Sequence, residues 1–374
     1  MKIARILRKL LKYSMLLISL GSALLLLLGR MVPSVNPYEQ PGAGMLAYLV
    51  PVMVLVNTGF IVFWLITRKW WFTLIPLVAL VSSRRVWMTY FALHFGQQQD
   101  WQQPAPGSFT VMSYNVRLLD LYNWSGRKET RAEMIRFFGE RPADILCLQE
   151  FYTGNDSVGF DNISAIKYAG GYTDVAMCDV NVNRRGRWGS VIFSKFPIVG
   201  NANHDMDVQG SNLLQEVRVK IGNDTVCIFN IHLKSNRFTS RETGFVGQKA
   251  LPEWNPDNVS LSRRIYQKVL RNTMLRGLEA KLAGEIADAA PYPSILCGDL
   301  NDIPSSYVYF RLRGKRKDVF LERGKGLGAT YAGTLPVLRI DYLFYDQRLK
   351  ALAYESERLA YSDHYPLRAR FQRD

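Results

Sequence analysis

The segment YPSILCGDLND, residues 292–302, contains a short apolar run that ends at Asp299 and Asn301. A continuous apolar run of this kind is typical of a strand that is buried on both faces. A carboxylate at the end of such a strand is costly to bury unless it pairs with another group or binds a metal. The segment therefore predicts a strand that delivers polar groups to a site, whose other members lie elsewhere in the chain.

Five other predicted strands carry or end at polar residues in the same way. These residues are Asn115 in SFTVMSYNVR, Glu150 in RPADILCLQE, His232 in TVCIFNIHL, Asp341 in RIDYLFYD and the pair Asp363-His364 in LAYSDHYPLRARF. If the strand ends meet at one edge of the sheets, they form a site that is rich in oxygen ligands and holds two histidines. Such ligands suit Mg²⁺ or Mn²⁺ and disfavour zinc.

Helical patterns lie between these strands. Apolar residues recur near helical spacing over residues 129–140 and 261–289. Helices that alternate with strands predict a layered α/β domain.

The chain has 374 residues, a hydrophobic fraction of 48% and a formal net charge of +15. Residues 1–104 hold ten basic and two acidic residues, so about half of the excess charge lies in the N-terminal part. The remaining excess suits a phosphate-bearing substrate, but it does not choose among nucleic acid, phospholipid head group and small ester. The four cysteines are too few and too scattered for a disulfide framework or a zinc site.

Residues 1–95 predict a membrane anchor with two to three transmembrane helices. Five basic residues precede an uncharged run over residues 13–29, and a second uncharged run of 22 residues, 45–66, is long enough to cross about 30 Å of hydrocarbon. A third apolar stretch, 70–95, is interrupted by Arg84 and Arg85, so it either spans the membrane or lies on its surface. A signal peptide is the competing interpretation of the first run, although no small-x-small cleavage site follows it.

Charge predicts the orientation of this anchor. The basic N-terminus and the Arg68-Lys69 turn both favour the cytoplasm. Three spans place the following domain on the non-cytoplasmic face of the cell (inner) membrane, whereas two spans leave it in the cytoplasm, and we expect three. Residues 96–108 are polar and rich in glycine and proline, so they predict a linker to a separate domain at 109–374.

The six polar segments resemble the endonuclease/exonuclease/phosphatase superfamily, which includes pancreatic deoxyribonuclease and the inositol-polyphosphate 5-phosphatases. The resemblance covers residues 109–371 and rests on SYNVR, LQE, NIHL, GDLND, RIDYLF and SDHYPL in that order. Each motif alone is weak, but the ordered set is specific. The resemblance implies a four-layer α/β/β/α sandwich, the deoxyribonuclease I-like fold. With the N-terminal transmembrane helices that the apolar runs predict before it, we expect a membrane-anchored bacterial-type member. It also implies hydrolysis of phosphoesters with a divalent metal.

The resemblance implies three residues for the metal. Glu150 corresponds to the principal ligand, Asn115 helps to hold the metal or the phosphate, and Asp363 is an additional acidic residue near the metal. The implied cofactor is Mg²⁺ or Mn²⁺, with one or two ions.

Five further residues receive catalytic roles from the same resemblance. Asp299 resembles the aspartate that orients or deprotonates the attacking water, and Asn301 resembles its amide neighbour at the phosphate. His364 resembles the imidazole that contacts the scissile phosphate, and His232 resembles a second histidine on the phosphate side. Asp341 would orient His364, because a carboxylate behind an imidazole fixes its tautomer and raises its basicity.

One segment departs from the family pattern. Several family nucleases place a catalytic tyrosine between the glutamate and the first histidine, whereas NVNRRGRWGSVIF here offers Arg184, Arg185, Arg187 and Trp188. An arginine in this segment either binds phosphate in a bidentate manner or belongs to a solvated basic loop.

Three functions therefore stay open. We expect a membrane-tethered phosphatase or phosphodiesterase whose partners are the lipid bilayer and a phosphoester substrate, for example a lipid-linked one. The first alternative is a membrane-anchored endonuclease or exonuclease, with nucleic acid as the partner, but residues 105–374 carry an excess charge of only +7. The second alternative is a non-catalytic binding module, which the complete set of polar residues disfavours. The sequence does not predict protein partners.

Overall fold

The computed structural model describes residues 2–94, 101, 106–154, 160–206, 213–247, 255–333, 335 and 337–373. Within these residues, two six-stranded sheets lie face to face. The helices are α1 (Lys2–Gly29), α2 (Pro41–Ile66), α3 (Trp70–Ser82), α4 (Arg84–Trp87), α5 (Thr130–Glu140), α6 (Asn162–Gly170), α7 (Ser240–Val246), α8 (Pro256–Asp288), α9 (Tyr307–Arg313) and α10 (Val319–Arg323). The strands are β1 (Ala92–Leu93), β2 (Phe109–Asn115), β3 (Ile145–Gly154), β4 (Asp174–Asn183), β5 (Gly186–Ser194), β6 (Ile198–Asp205), β7 (Leu213–Ile221), β8 (Asp224–His232), β9 (Ser294–Asp299), β10 (Lys317–Asp318), β11 (Lys325–Gly326), β12 (Asp341–Tyr345), β13 (Leu349–Ser356) and β14 (Leu367–Arg373).

The two sheets have the same pattern of parallel and antiparallel strand pairs. The first has the order β13-β14-β2-β3-β5-β4, and the second has the order β10-β12-β9-β8-β7-β6. In each sheet one central pair is parallel, β2 with β3 and β8 with β9, and the other neighbours are antiparallel. Since parallel strands end at the same edge, the two central pairs can present their last residues together.

The inner faces of the sheets form an apolar core, which includes Val111, Ile145 and Ile295. A buried polar bridge crosses this core next to the site edge. Gln149 Nε2 donates to Asn230 Oδ1 at 2.7 Å, and Asn230 Nδ2 donates to the carbonyl oxygen of Leu148 at 3.1 Å. Because these buried amides pair across the two sheets, they fix how β3 and β8 lie relative to each other.

Helices cover the outer faces of both sheets. Met134 and Phe138 of α5 pack on the first sheet, and Ala280 and Ala283 of α8 pack on the second. The predicted helices at 129–140 and 261–289 correspond to α5 and to most of α8, which begins five residues earlier, at Pro256, behind the N-cap Asn255. The four-layer α/β/β/α sandwich is confirmed.

The N-terminal helices present apolar surfaces. By length and composition, α1 and α2 are each able to cross a membrane, and α1, being near the N-terminus, also fits a signal sequence. Large apolar side chains on them are exposed, such as Leu55 at 73% and Ile66 at 76%. α3 has 13 residues, a length of about 20 Å, and Ser83 separates it from α4. The third apolar stretch is thus a shorter helix than the first two.

These helices lie directly against the sheet domain. The loop after Asn301 receives most of the polar contacts: the Tyr48 hydroxyl donates to Asp302 Oδ1 at 3.4 Å, Thr89 Oγ1 donates to the Pro304 carbonyl at 3.0 Å, and Ser305 Oγ donates to the Ala47 carbonyl at 2.9 Å. The linker predicted at 96–108 falls mostly on residues 96–100 and 102–105, which lie outside the described residues. Direct packing therefore connects the helices to the loop at 301–305.

Candidate active site

The ends of the two parallel pairs bring predicted polar residues to one edge. The register of β2 and β3 places Asn115 next to the segment that carries Glu150. The register of β8 and β9 places His232 opposite Asp299, and β12 begins with Asp341 directly opposite Asp299. Residues from both sheets therefore meet at the same edge of the sandwich.

Asp299 lies buried at the centre of this edge. Its Oδ2 accepts hydrogen bonds from the side-chain amides of Asn115 and Asn301, each at 3.1 Å, and its Oδ1 accepts from the backbone N–H of Asn301 at 2.8 Å. Burial raises the pKa of Asp299, and the positive charge of His364 opposes this rise. The amides fix the orientation of the carboxylate but leave its charge unneutralised.

His364 lies between two carboxylates. Its Nδ1 is 2.9 and 3.1 Å from the two oxygens of Asp341, so Nδ1 carries the proton of this bond, and its Nε2 faces Asp299 Oδ2 at 3.6 Å. Burial lowers the pKa of His364, but the charges of Asp341 and Asp299 outweigh burial and raise the pKa to about 10. At neutral pH the ring is therefore an imidazolium whose Nε2–H points away from Asp341.

Glu150 leaves the regular ladder of β3. The register between β3 and β5 shifts between Leu148 and Phe151, and Glu150 adopts a φ of 46° within this bulge. Such a backbone costs on the order of 1–3 kcal/mol for a residue with a Cβ and is concentrated at functional sites. The bulge turns the half-buried carboxylate toward His232, whose Nε2 lies 3.6 Å from Glu150 Oε1.

His232 completes the edge with an unsatisfied nitrogen. Its Nε2 is 3.6 Å from Glu150 and 3.7 Å from Asp299 Oδ2, which exceeds a hydrogen-bond distance. Within the part of the chain that the structure describes, this buried nitrogen has no hydrogen-bond partner. A buried polar atom without a partner is costly, so the site is arranged for a group that is added on binding.

Asp363 contacts a different set of residues. Its Oδ2 lies 3.6 Å from Arg117 Nε, and its Oδ1 accepts from Ser362 Oγ at 3.3 Å. Ser362 Oγ also lies 2.8 Å from the carbonyl oxygen of Asn115. Asp363 thus touches the cluster through Ser362, whereas the other seven predicted residues form one continuous network of short contacts: Asn115, Glu150, His232, Asp299, Asn301, Asp341 and His364.

The comparison with protein families identifies this arrangement. Residues 112–364 match the Endonuclease/Exonuclease/phosphatase family, and this match covers more than half of the chain. The chain belongs to the endonuclease/exonuclease/phosphatase family. Residues 8–90, which hold the N-terminal helices, match a domain of unknown function, DUF8431. Among the curated proteins compared, none matches the chain.

Solved structures of the family share this fold. An endonuclease/exonuclease/phosphatase from Beutenbergia cavernae, the human Nocturnin catalytic domain with bound sulfate anion and a family protein from Bacteroides thetaiotaomicron each give a TM-score of 0.50 at 17% identity. The similarity covers 71%, 73% and 73% of this chain and 72%, 97% and 99% of the respective structures. At this identity the likeness shows a common fold.

Members of the family are phosphoester hydrolases that typically use divalent metals, and the donor set of this chain fits such an ion. Oxygen ligands are available from Glu150, Asp299 and Asn115, which is the chemistry that Mg²⁺ and Mn²⁺ prefer. Ligand atoms of Asp299, Asp341 and His364 lie within 4.8 Å of one another. Both Asp341 oxygens, however, already face His364 Nδ1, so the Glu150 side of the edge is the better place for a cation.

A cleft of about 430 Å³ opens beside Glu150 and His232. Its walls are largely apolar and aromatic, with contributions from Leu118, Tyr122, Trp124, Val180, Trp188 and Leu213. Tyr122 and Trp124 are 61% and 43% exposed, so their faces are open to a bound molecule. The cleft combines a polar end for a phosphate with a wall for an apolar or planar group.

The structure separates the residues of the NVNRRGRWGSVIF segment. Arg187 forms a bidentate ion pair with Asp179, at 2.9 and 2.6 Å, so its guanidinium already has an anionic partner. Trp188 packs against Tyr152 with ring centroids 4.7 Å apart and lines the cleft. Trp188, with Gly189 and Ser190 after it, lines the cleft, whereas Arg187 is not among the lining residues.

Several supporting residues carried no sequence signal. Thr330 Oγ1 accepts a hydrogen bond from the backbone N–H of Asp341 at 3.0 Å. Ser362 Oγ donates to the carbonyl oxygen of Asn115 at the end of β2. The Tyr331 ring packs edge-on against the His364 ring, with centroids 5.5 Å apart. The aromatic residues Tyr122 and Trp124 follow an irregular turn without a motif. Serine, threonine and tyrosine are common in loops, so only the tertiary contacts distinguish these side chains.

Proposed function

We propose that the chain is a membrane-anchored, Mg²⁺- or Mn²⁺-dependent phosphoester hydrolase, a phosphatase or phosphodiesterase, with a lipid-linked phosphoester as substrate. The observation that carries this proposal is the single edge at which Asp299, the His364–Asp341 pair and Glu150 meet beside an apolar cleft. A phosphate placed there faces an acceptor for a proton, a cationic donor and hard oxygen ligands.

Asp299 accepts the proton of the attacking water in this proposal. The two amide donors and the Asn301 backbone N–H hold its oxygens in place, so the carboxylate needs no reorientation during the reaction. Proton transfer by a positioned carboxylate typically contributes about 10²- to 10⁴-fold to a rate. Asn301 is held in turn, because its side chain donates to the Leu233 carbonyl at 3.1 Å.

His364 stabilises the charge that develops on the phosphate. Asp341 binds Nδ1, so the proton on Nε2 is free to be donated to a non-bridging oxygen. His232 offers a second imidazole nitrogen that has no partner within the described residues. His232 lines the polar end of the cleft, and His364 is buried next to it, with both imidazoles within 3.7 Å of Asp299 Oδ2.

Glu150 and Asn115 would hold the metal, with Asp363 as a further acidic group near it. When bound, a divalent cation supplies charge neutralisation at the phosphate oxygens. The strained backbone of Glu150 aims its carboxylate at this position.

The N-terminal helices support a membrane-borne substrate. α1 contacts both α2 and the end of α3: Trp64 Nε1 of α2 lies 3.4 Å from Ser19 Oγ, and Ser83 Oγ, directly after α3, donates to the Leu26 carbonyl at 3.1 Å. The Lys12 ammonium lies 5.1 Å from the centre of the Phe72 ring, so basic residues gather at the C-terminal end of α2, next to the Arg68-Lys69 turn. The N-terminal end of α2 contacts the loop at 301–305 through Tyr48. By the positive-inside rule, the end of α2 with the basic residues faces the cytoplasm, so the sheet domain at the other end would lie on the non-cytoplasmic face.

A nuclease is the second candidate. The observation that favours it is the set of exposed rings, Tyr122 and Trp124, beside the site, because aromatic faces stack on unpaired bases. The same rings also suit an isoprenyl or acyl chain.

A substrate panel tests the proposal. The full chain in neutral detergent is assayed with Mg²⁺ against phospholipids, polyisoprenyl pyrophosphate and plasmid DNA, with His364→Ala as the inactive variant and His204→Ala as the matched control, since His204 lies on β6 outside the site. Turnover of a lipid phosphoester that only His364→Ala abolishes supports the proposal. Cleavage of DNA alone supports the nuclease, and no turnover together with no Mg²⁺ binding supports a binding module.

A reporter fused after Asp374 tests the location. Activity of a periplasmic reporter is expected, and activity of a cytoplasmic reporter alone contradicts the three-span arrangement.

A further inference from the structure

A second groove lies beside the catalytic cleft, between the loop at 234–237 and α8. It has a volume of about 480 Å³ and is lined by four basic side chains, Lys234, Arg237, Lys268 and Arg271, and by the amides of Asn236 and Asn272. Basic residues on a surface are usually solvated, so this groove needs further features to count as a site.

The groove continues into the catalytic cleft. Ser235 and Arg237 line both the groove and the cleft that holds Glu150 and His232. The loop begins two residues after His232, at the end of β8. A molecule whose phosphate lies at the catalytic edge can therefore extend a second group into the groove.

The loop that forms one wall is held in place. Asn272 Nδ2 donates to the Ser235 carbonyl at 3.3 Å, and the buried Arg276 donates from Nη1 to the Lys234 carbonyl at 3.0 Å. Arg237 adopts a φ of 45°, which is uncommon for a residue with a Cβ. A fixed loop holds its charges in position before a ligand binds, which lowers the entropic cost of binding.

Charge in the groove is only partly neutralised. Lys268 pairs with Glu242 at 2.6 Å, and Glu279 Oε2 accepts the backbone N–H of Lys234 at 2.9 Å. Among the described residues, neither Arg237 nor Arg271 forms an ion pair with a carboxylate, and the Arg271 side chain is exposed. Two guanidinium groups are thus available to an anion, and guanidinium binds phosphate through two parallel hydrogen bonds.

We propose that this groove binds a second phosphate group of the substrate, so that the preferred substrate carries one phosphate at the catalytic edge and another between Arg237 and Arg271. The proposal rests on the proposed function. The start of α2 packs on α8 near the groove, because a Cβ on Gly44 would lie 2.6 Å from the side chain of Thr273, two residues after Arg271. Both a soluble and a lipid-borne second phosphate are therefore compatible with it.

A pair of soluble substrates tests the groove. Thymidine 5′-(p-nitrophenyl phosphate) and its 3′-phosphorylated form share the same scissile group and differ by one phosphate. We expect Arg271→Gln to lower the ratio of kcat/KM for the two-phosphate over the one-phosphate substrate by about tenfold, mainly through KM. Arg263→Gln, which removes an exposed charge from the same helix outside the groove, serves as the matched control and leaves the ratio unchanged.

A lipid pair distinguishes the source of the phosphate. Polyisoprenyl pyrophosphate and polyisoprenyl monophosphate are compared in micelles of a neutral, phosphate-free detergent with the same variants. A ratio that falls only in the lipid pair assigns the groove to lipid-borne substrates, and one that falls only in the soluble pair assigns it to soluble ones. A ratio that Arg271→Gln leaves unchanged in both pairs overturns the proposal.

Binding of inorganic phosphate separates this proposal from the proposed function. Calorimetry is carried out in the His364→Ala background, where turnover is absent, and Arg271→Gln is expected to weaken phosphate binding about tenfold. If no substrate is turned over but phosphate binding depends on Arg271, the result contradicts the proposed function and supports the groove as a phosphate-binding site. If substrates are turned over but phosphate binding is independent of Arg271, the groove proposal fails alone.

Discussion

Two buried aspartates lie three residues apart in GDLND and have opposite surroundings. Asp302 accepts from Arg276 Nε at 3.3 Å, from the Ile303 backbone at 2.9 Å and from the Tyr48 hydroxyl at 3.4 Å. Its charge is matched by a guanidinium that is itself fully buried. Asp299 instead accepts from neutral amides, and the His364 imidazolium stays at 3.6 Å.

We propose that this difference in surroundings gives the two carboxylates different roles, structural at Asp302 and reactive at Asp299. Burial raises the pKa of both aspartates, and Arg276 opposes this rise at Asp302 while His364 opposes it at Asp299. The carboxylate of Asp302 accepts hydrogen bonds from Tyr48 of α2 and Arg276 of α8, so it holds both helices against the loop at 301–305. Asp299 accepts only from amides and faces the His364 imidazolium at 3.6 Å, so we propose that it is the carboxylate that binds a cation or accepts a proton.

The same substitution at both positions gives the sharpest test, and the largest effect is expected at Asp299. Asp299→Asn removes the proton acceptor while keeping the shape of the side chain, so kcat is expected to fall by about 10³-fold. The free energy of unfolding in detergent should fall by only about 1–3 kcal/mol, because the new side-chain NH2 group faces the N–H donors of Asn115 and Asn301. A variant with near-normal kcat would contradict the role of Asp299 as acceptor.

Asp302→Asn should reverse this pattern. It removes the ion-pair partner of the buried Arg276 guanidinium and leaves only the more distant charge of Glu279, and breaking such a buried pair typically costs about 3–5 kcal/mol of unfolding free energy. Chemical denaturation in detergent measures this loss. If Asp302→Asn were as stable as the unmodified protein, the Arg276–Asp302 pair would not be what holds the loop.

The pH dependence of the unfolding free energy tests the interaction of His364 with the carboxylates of Asp341 and Asp299. Its pKa is raised from 6.5 to about 10 in the folded state, so its contribution is fully present below about pH 6.5 and is lost as the pH rises through about 10. Unfolding in metal-free buffer should therefore show a loss on the order of a few kcal/mol over this interval. Asp341→Asn removes the main partner and should flatten the profile, whereas equal slopes for both proteins would contradict the raised pKa.

The smallest effect is expected at Tyr48. Tyr48→Phe removes one hydroxyl that accepts from Arg276 Nη2 at 3.1 Å and donates to Asp302, at a cost of about 1 kcal/mol. Because Asp302 follows Asn301 directly, kcat should also fall, by no more than about threefold. Tyr38→Phe, on an exposed ring just before α2, is the matched control. Equal kcat and melting temperature in both variants would show that α2 does not position the loop at 301–305.

The sequence alone predicted the layered fold and eight candidate residues. Apolar runs such as DILCL predicted strands covered on both faces, and β3 is indeed buried along most of its length. The match to residues 112–364 confirms the family that the ordered motifs indicated. The roles of the individual site residues stay predictions, although seven of the eight lie in one network of contacts.

The sequence by itself determined which residue types stand at the strand ends, because the periodicity of apolar residues sets where each strand stops. Only the tertiary structure decided which of these groups meet. The φ of Glu150, the Arg117 partner of Asp363 and the contrast between Asp299 and Asp302 all depend on neighbours far away in the chain. The physical reason is that burial and charge pairing, unlike strand propensity, are set by what packs around a residue and not by the letters beside it.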